Sequence, residues 1–272
     1  MEGIIKMENN ANQITLATFN IRTDTTDDGP ENGPYRWSSR FKFVKRLFEE
    51  YQWDIVGLQE VKENQLLDLL TMADYESVGE KRSDNEWGEY NPILYNKEKL
   101  TLLSTKTIWL SKTPEVPSLA EYWGAENPRI CTTAHFKVKK TGKELVVLNT
   151  HFDHIGEEAR YQSSEIVLRE VVNDHPTFLM GDLNGPDSER FYKPLSNHLS
   201  DVVRNSPHHV GPLVTCTGVA FSSFPTWDEM LEIDYIFVNE KVEVIKTATV
   251  TDKFNGLYPS DHFPISLWCE LI

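Results

Sequence analysis

Four apolar runs in this chain each end on a cluster of polar, reactive side chains. ITLATFN closes on Asn20, DIVGLQE on Glu60, LVVLNTH on Asn149, Thr150 and His151, and TFLMGDLN on Asp182 and Asn184. Continuous apolar runs of this length read as strands covered on both faces. The ends of such strands are where α/β proteins commonly gather their functional groups. Two later clusters, Asp234 in IDYIFVN and Ser260-Asp261-His262 ahead of FPISLWCEL, fall instead at or near strand beginnings. If those two strands run antiparallel to their neighbours, their beginnings meet the other strands' ends at one edge. The pattern then predicts one cleft holding asparagines, a glutamate, three aspartates and two histidines.

The rest of the chain supports a mixed α/β reading from end to end. Trp37, Phe41, Val44 and Phe48 recur at helical spacing and predict an apolar helix stripe. A short helix is expected over 62–71 and a long one over 156–174, with strands near 75–79, 91–96, 102–110 and 130–138. Thr141-Gly142 reads as a hairpin turn. No repeat, low-complexity tract or linker interrupts the 272 residues, so a single domain over 14–272 is expected behind a polar lead-in, 1–13.

Composition narrows the class. Hydrophobic residues at 39% and charged residues at 25% suit a globular protein, and no apolar stretch approaches the ~18 residues of a membrane span. The N-terminus lacks the apolar core of a secretory signal. Cys131, Cys216 and Cys269 are odd in number and form no CxxC pair. They read as reduced packing residues of a cytoplasmic protein, with no zinc-binding spacing. The net charge of −15 opposes diffuse attachment to long nucleic acid, but it leaves room for a locally positive cleft around a divalent metal.

The clustered side chains favour hard-metal chemistry. Carboxylates and amides are oxygen ligands suited to Mg²⁺, with Mn²⁺ as substitute, rather than to zinc. No HExxH spacing, Walker-type loop or GxSxG elbow is present. A metal beside acid–base groups fits attack of water on phosphorus.

In order, TFN, LQE, NTHFDH, GDLN, DYIF and SDHFP resemble the motifs of the endonuclease/exonuclease/phosphatase superfamily across about residues 14–272. FNIR, WSSR, GEYNPILY, PRICT and THFDHIGEEAR resemble a bacterial branch near the deadenylase-type members. The resemblance implies a four-layer αββα sandwich with two packed mixed β-sheets. It implies that Glu60 is the main metal ligand, with Asn20 and Asp261 at or beside the metal. Asp182 would position or deprotonate the attacking water, and Asn184 would help orient it. His151 would donate to a phosphate oxygen or support the leaving group, and Asp234 and His262 would form a carboxylate–imidazole pair. Arg129 resembles a phosphate-contacting arginine and, with Asn149, makes up the expected substrate-binding set. Arg22 departs from the acidic residue that some DNA-repair relatives carry there.

Other features have plainer readings. His154 lies in a polar loop that could touch substrate. Lys137, Lys139, Lys140 and Lys143 flank the expected hairpin turn and read as a solvated tip rather than a nucleic-acid patch. Trp37 belongs to the helix stripe, whereas Trp87, Trp109 and Trp123 could be stacking platforms. The leading functional reading is a metal-dependent phosphodiesterase or nuclease, such as a 3′-to-5′ exonuclease on single strands, acting as a monomer away from membranes. The alternatives are a hydrolase of a small phosphorylated metabolite and a non-catalytic binding module that kept only the fold.

Overall fold

The computed structural model describes residues 13–31, 33–85, 88–217 and 226–272. Trp87 and nearly all of the lead-in lie outside the described residues. The strands are β1 (Gln13–Asn20), β2 (Ile55–Gln59), β3 (Tyr75–Val78), β4 (Ile93–Asn96), β5 (Leu100–Trp109), β6 (Ile130–Val138) and β7 (Glu144–His151). They continue as β8 (Thr177–Asp182), β9 (Ser200–Asp201), β10 (His209–Val210), β11 (Asp234–Val238), β12 (Val242–Thr249) and β13 (Ile265–Leu271). The helices are α1 (Trp37–Tyr51), α2 (Glu63–Leu69), α3 (Glu157–Leu168) and α4 (Tyr192–His198).

The strands build two mixed sheets, β10-β12-β13-β1-β2-β4-β3 and β5-β6-β7-β8-β11-β9. Alternation along each strand decides what every side chain meets. In β1, Ile14 and Leu16 enter the core between the sheets, while Ala17 and Phe19 meet α1 residues Phe43, Val44 and Leu47. In β7, Leu145 and Val147 face the other sheet, while Val146 and Leu148 pack with Ile166 and Val167 of α3. The result is helix on sheet on sheet on helix, the expected four layers. Each aliphatic side chain fully buried there contributes about 1.5–3 kcal/mol.

The expected strand directions hold. β1 and β2 run parallel with Asn20 opposite Gln59, and β7 and β8 run parallel with His151 opposite Asp182. β11 pairs antiparallel to β8, which sets Asp234 opposite Asp182, and β13 is antiparallel to β1. Parity then puts Asn20, His151, Asp182 and Asp234 on the inward faces at the same end. The cleft is the open mouth of the sandwich.

Two glycines permit this approach. A Cβ on Gly57 would lie 2.7 Å from both Asn149 Oδ1 and Met180 Sδ on the facing sheet. Gly181 has φ of 151°, and a Cβ there would meet the Thr150 carbonyl at 1.9 Å.

Several boundaries differ from the sequence reading. The helix expected over 156–174 ends at Leu168, where the chain tightens into i→i−3 turns through Val171. The strand expected over 177–184 stops at Asp182, since Asn184 takes a left-handed backbone, φ 54°. α4 and β12 were not legible. α4 buries only Leu195, and β12 mixes Glu243 and Lys246 into a half-exposed run.

Candidate active site

Three of the described non-glycine residues with positive φ stand at the cleft: Arg22 (60°), Glu60 (61°) and Asn184 (54°). A left-handed backbone costs roughly 1–3 kcal/mol and is kept where the surroundings over-determine it. At position 60 it takes the side chain off the strand's alternation and into the cleft.

Asn20 joins the two carboxylates at the centre. Its Nδ2 donates to Glu60 Oε1 and to Asp182 Oδ2, each at 3.0 Å, while its Oδ1 accepts the Arg22 N–H at 3.0 Å. Glu60 Oε2 accepts the Thr23 N–H at 2.9 Å. Burial opposes charge on Glu60, but the Asn20 hydrogen bond, His262, the Thr23 N–H and Arg22 outweigh it and hold the carboxyl below its usual range. Asp182 has no such surplus. Burial and the neighbouring Asp234 push it up to about 7. Its Oδ1 accepts the Asn184 N–H at 2.9 Å, and the Asn184 Nδ2 donates to the Phe152 carbonyl at 2.9 Å.

His262 Nδ1 lies 2.9 Å from Asp234 Oδ2, and its Nε2 lies 3.8 Å from Asp182 Oδ2. Burial works against the imidazolium, yet its partners keep the pKa well above the ordinary range. The Cys216 thiol is itself pushed up by burial and stays neutral at neutral pH. The Asp234 carboxylate is therefore the charge that sustains the cation. His151 goes the other way: burial, Arg129 and Arg82 keep it neutral. Its Nε2 is 3.5 Å from Asp182 Oδ2, and its Nδ1 is buried without a hydrogen-bond partner.

Asp261 sits 3.5 Å from Arg22 Nη1 and accepts the Ser260 hydroxyl at 3.2 Å. Burial and Glu60 raise its pKa. Arg22 also meets Asp28 at 3.1 Å, so the basic residue at this position ties a surface loop to Asp261. Glu60, Asp182, Asp234 and Asp261 thus share one oxygen-rich cleft, with Arg22 and the His262 imidazolium beside them. A divalent ion is what such a donor set accommodates, and Glu60, Asp261 and Asn20 are the residues that could hold it. Asp182, Asp234 and His262 also lie close enough to hold an ion. His262 Nδ1 is already committed to Asp234, however, so that group reads better as a proton-handling unit.

Arg129 stands at the cleft wall, buried, with Nε 3.7 Å from Asp153 Oδ2 and Nη2 3.1 Å from His154 Nδ1. Its Nε and Nη1 have no hydrogen-bond partner. Asn149 does not join it. That side chain is fully buried between the sheets, accepting from Gln59 Nε2 at 2.7 Å and donating to the carbonyls of Leu58 and Pro92 at 2.8 and 2.9 Å. It braces the sandwich one step below the mouth, so its expected substrate contact is corrected here. His154 lies 3.1 Å from the exposed Glu126 on the rim.

Several contributors were not singled out from sequence. Arg82 pairs with Glu89 at 3.0 Å and feels Arg129, and the Trp109 indole donates to the Arg82 carbonyl at 2.9 Å. Trp109 is therefore a support rather than a stacking platform, and Trp123 packs beside α3. Arg40 is wholly buried and donates to the carbonyls of Ile21 and Pro259 at 2.8 and 2.7 Å, clasping the segments that carry Asn20 and Asp261. Arg160 donates to the Asp153 carbonyl and twice to Glu189. The WSSR and GEEAR wording was the visible signal for these two arginines. Lys137, Lys139, Lys140 and Lys143 lie at the opposite end of β7 from His151, at the solvated tip. Cys131, Cys216 and Cys269 are buried free thiols.

With this geometry in place, comparison with known proteins is decisive. A family profile described as endonuclease/exonuclease/phosphatase matches residues 17–262. The chain belongs to this family. Its members hydrolyse phosphate esters and use divalent metals. A family protein of known structure from Bacteroides vulgatus is 34% identical, with a TM-score of 0.88 over 96% of this chain and 99% of that one. A mannosyl-6-phosphatase from Bacteroides thetaiotaomicron is 29% identical, with a TM-score of 0.83 over 95% and 99%. The human Nocturnin catalytic domain shares the fold, with a TM-score of 0.73 and 16% identity over 96% and 95%. No helix among the described residues is long and apolar enough to cross a membrane.

Proposed function

We propose that this endonuclease/exonuclease/phosphatase family member is a magnesium-dependent hydrolase of a small phosphate ester, with a terminal phosphate as the group attacked. The observation that carries this reading is Arg129, whose Nε and Nη1 are buried without a hydrogen-bond partner beside the neutral His151. A guanidinium with two unspent nitrogens matches a phosphate better than any other common group. The acidic surface suits a small ester better than a polymer, and the mannosyl-6-phosphatase relative points the same way.

Glu60, Asp261 and Asn20 would hold the metal, which supplies neutralisation of the phosphate's charge. Asp182 takes the proton of the attacking water, and the Asn184 N–H fixes its carboxylate. His262, charged through Asp234, donates to a phosphate oxygen as its negative charge grows. His151 stands where it can donate to a phosphate oxygen or to the departing oxygen.

A second reading, a phosphodiesterase such as a 3′-to-5′ exonuclease on single strands, draws on Trp227. Its half-exposed ring lies 5.9 Å from that of Phe263, next to His262, and could stack on a base. One screen separates the two. With Mg²⁺ or Mn²⁺, sugar phosphates, nucleotides, inositol phosphates, and single-stranded RNA and DNA are offered in parallel. Dominant phosphate release from small monoesters supports the first reading, and dominant oligonucleotide cleavage overturns it.

A further inference from the structure

A second cluster of ligand-type side chains lies on the outer face of the β6–β7 pair, away from the cleft. In β6, Ala134 and Phe136 enter the core between the sheets, so His135 points outward. In β7, Leu145 and Val147 do the same, so Glu144 points outward. Register pairs His135 with Val146 and Lys137 with Glu144, which makes His135 and Glu144 diagonal neighbours on one face. His175 arrives from the turn before β8, where the adjoining Pro176 carbonyl accepts the Val146 N–H at 2.9 Å.

His135 Nε2 lies 3.1 Å from Glu144 Oε2, and the His135 and His175 ring centroids are 5.0 Å apart. One ligand atom from each of the three residues falls within 4.8 Å of the others. His135 Nε2 is shut off from solvent and makes no hydrogen bond. An imidazole lone pair facing a carboxylate oxygen at this distance is repulsive unless a proton or a metal ion lies between them. Tetrahedral zinc, with bonds near 2.0–2.1 Å, holds its ligand atoms about 3.3 Å apart. The His135–Glu144 edge, at 3.1 Å, is close to that length, and a His175 ring nitrogen lies within 4.8 Å of a ligand atom on each. Lys137, 3.9 Å from Glu144 Oε1, meets the carboxylate's other oxygen.

We propose that His135, Glu144 and His175 form a second metal site, for Zn²⁺ or another divalent transition ion that prefers imidazole, with solvent as the fourth ligand. Two imidazoles disfavour Mg²⁺, so this site and the oxygen-rich cleft select different ions. Glu144 and His151 stand at opposite ends of β7, about 23 Å apart at ~3.3 Å per residue. Bound metal would pin the α3–β8 connection to the β6–β7 pair. Sequence reading passed over the site because its ligands come from three separate segments and none is a cysteine.

The test is a calorimetric Zn²⁺ titration of the untagged full chain in excess Mg²⁺, repeated on variants. The wild type and Glu60→Gln should each take up zinc in a comparable high-affinity step. His135→Ala and His175→Ala should each weaken that step at least ~10-fold. Zinc should also raise the melting temperature of the wild type but not of His175→Ala, whose change in a surface turn spares the core. Absence of zinc uptake by the wild type would overturn the proposal. Uptake unchanged in both histidine variants, or lost in Glu60→Gln, would overturn it too.

Discussion

His262 Nδ1 and Asp234 Oδ2 lie 2.9 Å apart although 28 positions separate the two residues. Both are buried, and the strands that follow them belong to different sheets. The pair therefore spans the mouth of the sandwich rather than bracing one sheet. Because the residues act as a unit, His262→Ala and Asp234→Ala should each lower kcat by about 10²–10⁴-fold, with the double variant little worse than His262→Ala. Steady-state kinetics on folded protein checks this. Variants that only melt earlier and keep their turnover would leave the pair a structural role.

The metal should be held through Glu60. Glu60→Gln removes the charge and keeps one acceptor oxygen, for either the Asn20 amide or the Thr23 N–H. Mg²⁺ affinity and activity should both drop by at least ~10-fold, with little change in far-UV circular dichroism. Undiminished wild-type activity in excess EDTA would contradict a metal role.

Proton linkage gives a prediction with a definite sign. Without metal, burial and Asp234 raise Asp182 to about 7, and burial and Glu60 raise Asp261. A folded acid with a raised pKa binds more protons than the unfolded chain, so its contribution favours folding less as pH rises from about 4 towards 7. A divalent cation replaces those protons. The rise in melting temperature produced by Mg²⁺ should therefore grow from pH 5 to pH 8. A rise that is constant or shrinks over that range would count against metal binding among these carboxylates.

Arg129 and Asn149, grouped together from sequence, should behave differently on mutation. Arg129→Met should raise KM for a phosphate ester about 10–100-fold, the scale of losing one or two charge-assisted hydrogen bonds. Asn149→Ala removes three buried hydrogen bonds, to Gln59 Nε2 and to the carbonyls of Leu58 and Pro92, so it should cost at least ~2 kcal/mol of stability. The turnover of its folded fraction should stay close to wild type. Denaturant unfolding alongside kinetics separates the two effects.

That contrast shows where sequence reading succeeded and where it stopped. The polar ends of β1, β2, β7 and β8 stood out because each closes an apolar run, and the antiparallel entries of β11 and β13 followed from the positions of Asp234 and His262. Parity along β7 gives Asn149 and His151 the same facing, however. Only the depth of the covering residues Gln59 and Pro92 tells the brace from the cleft residue. Depth is a tertiary quantity. Arg40 escaped for a related reason, since its partners are backbone carbonyls of segments as far away as Pro259. Helix α4 escaped because Leu195 alone makes no stripe.

The central claim is that Asp182 handles the proton of the water that attacks a phosphate ester. The most direct measurement compares wild type with Asp182→Asn for release of inorganic phosphate from the best ester of the screen, at saturating Mg²⁺. The substitution keeps the side chain's shape and one acceptor oxygen, which serves either the Asn20 amide or the Asn184 N–H, so circular dichroism and a melting curve are taken alongside to score the folded protein. Turnover should fall at least ~10²-fold, the scale of losing a general base. A well-folded Asp182→Asn protein with near-normal turnover would contradict the account.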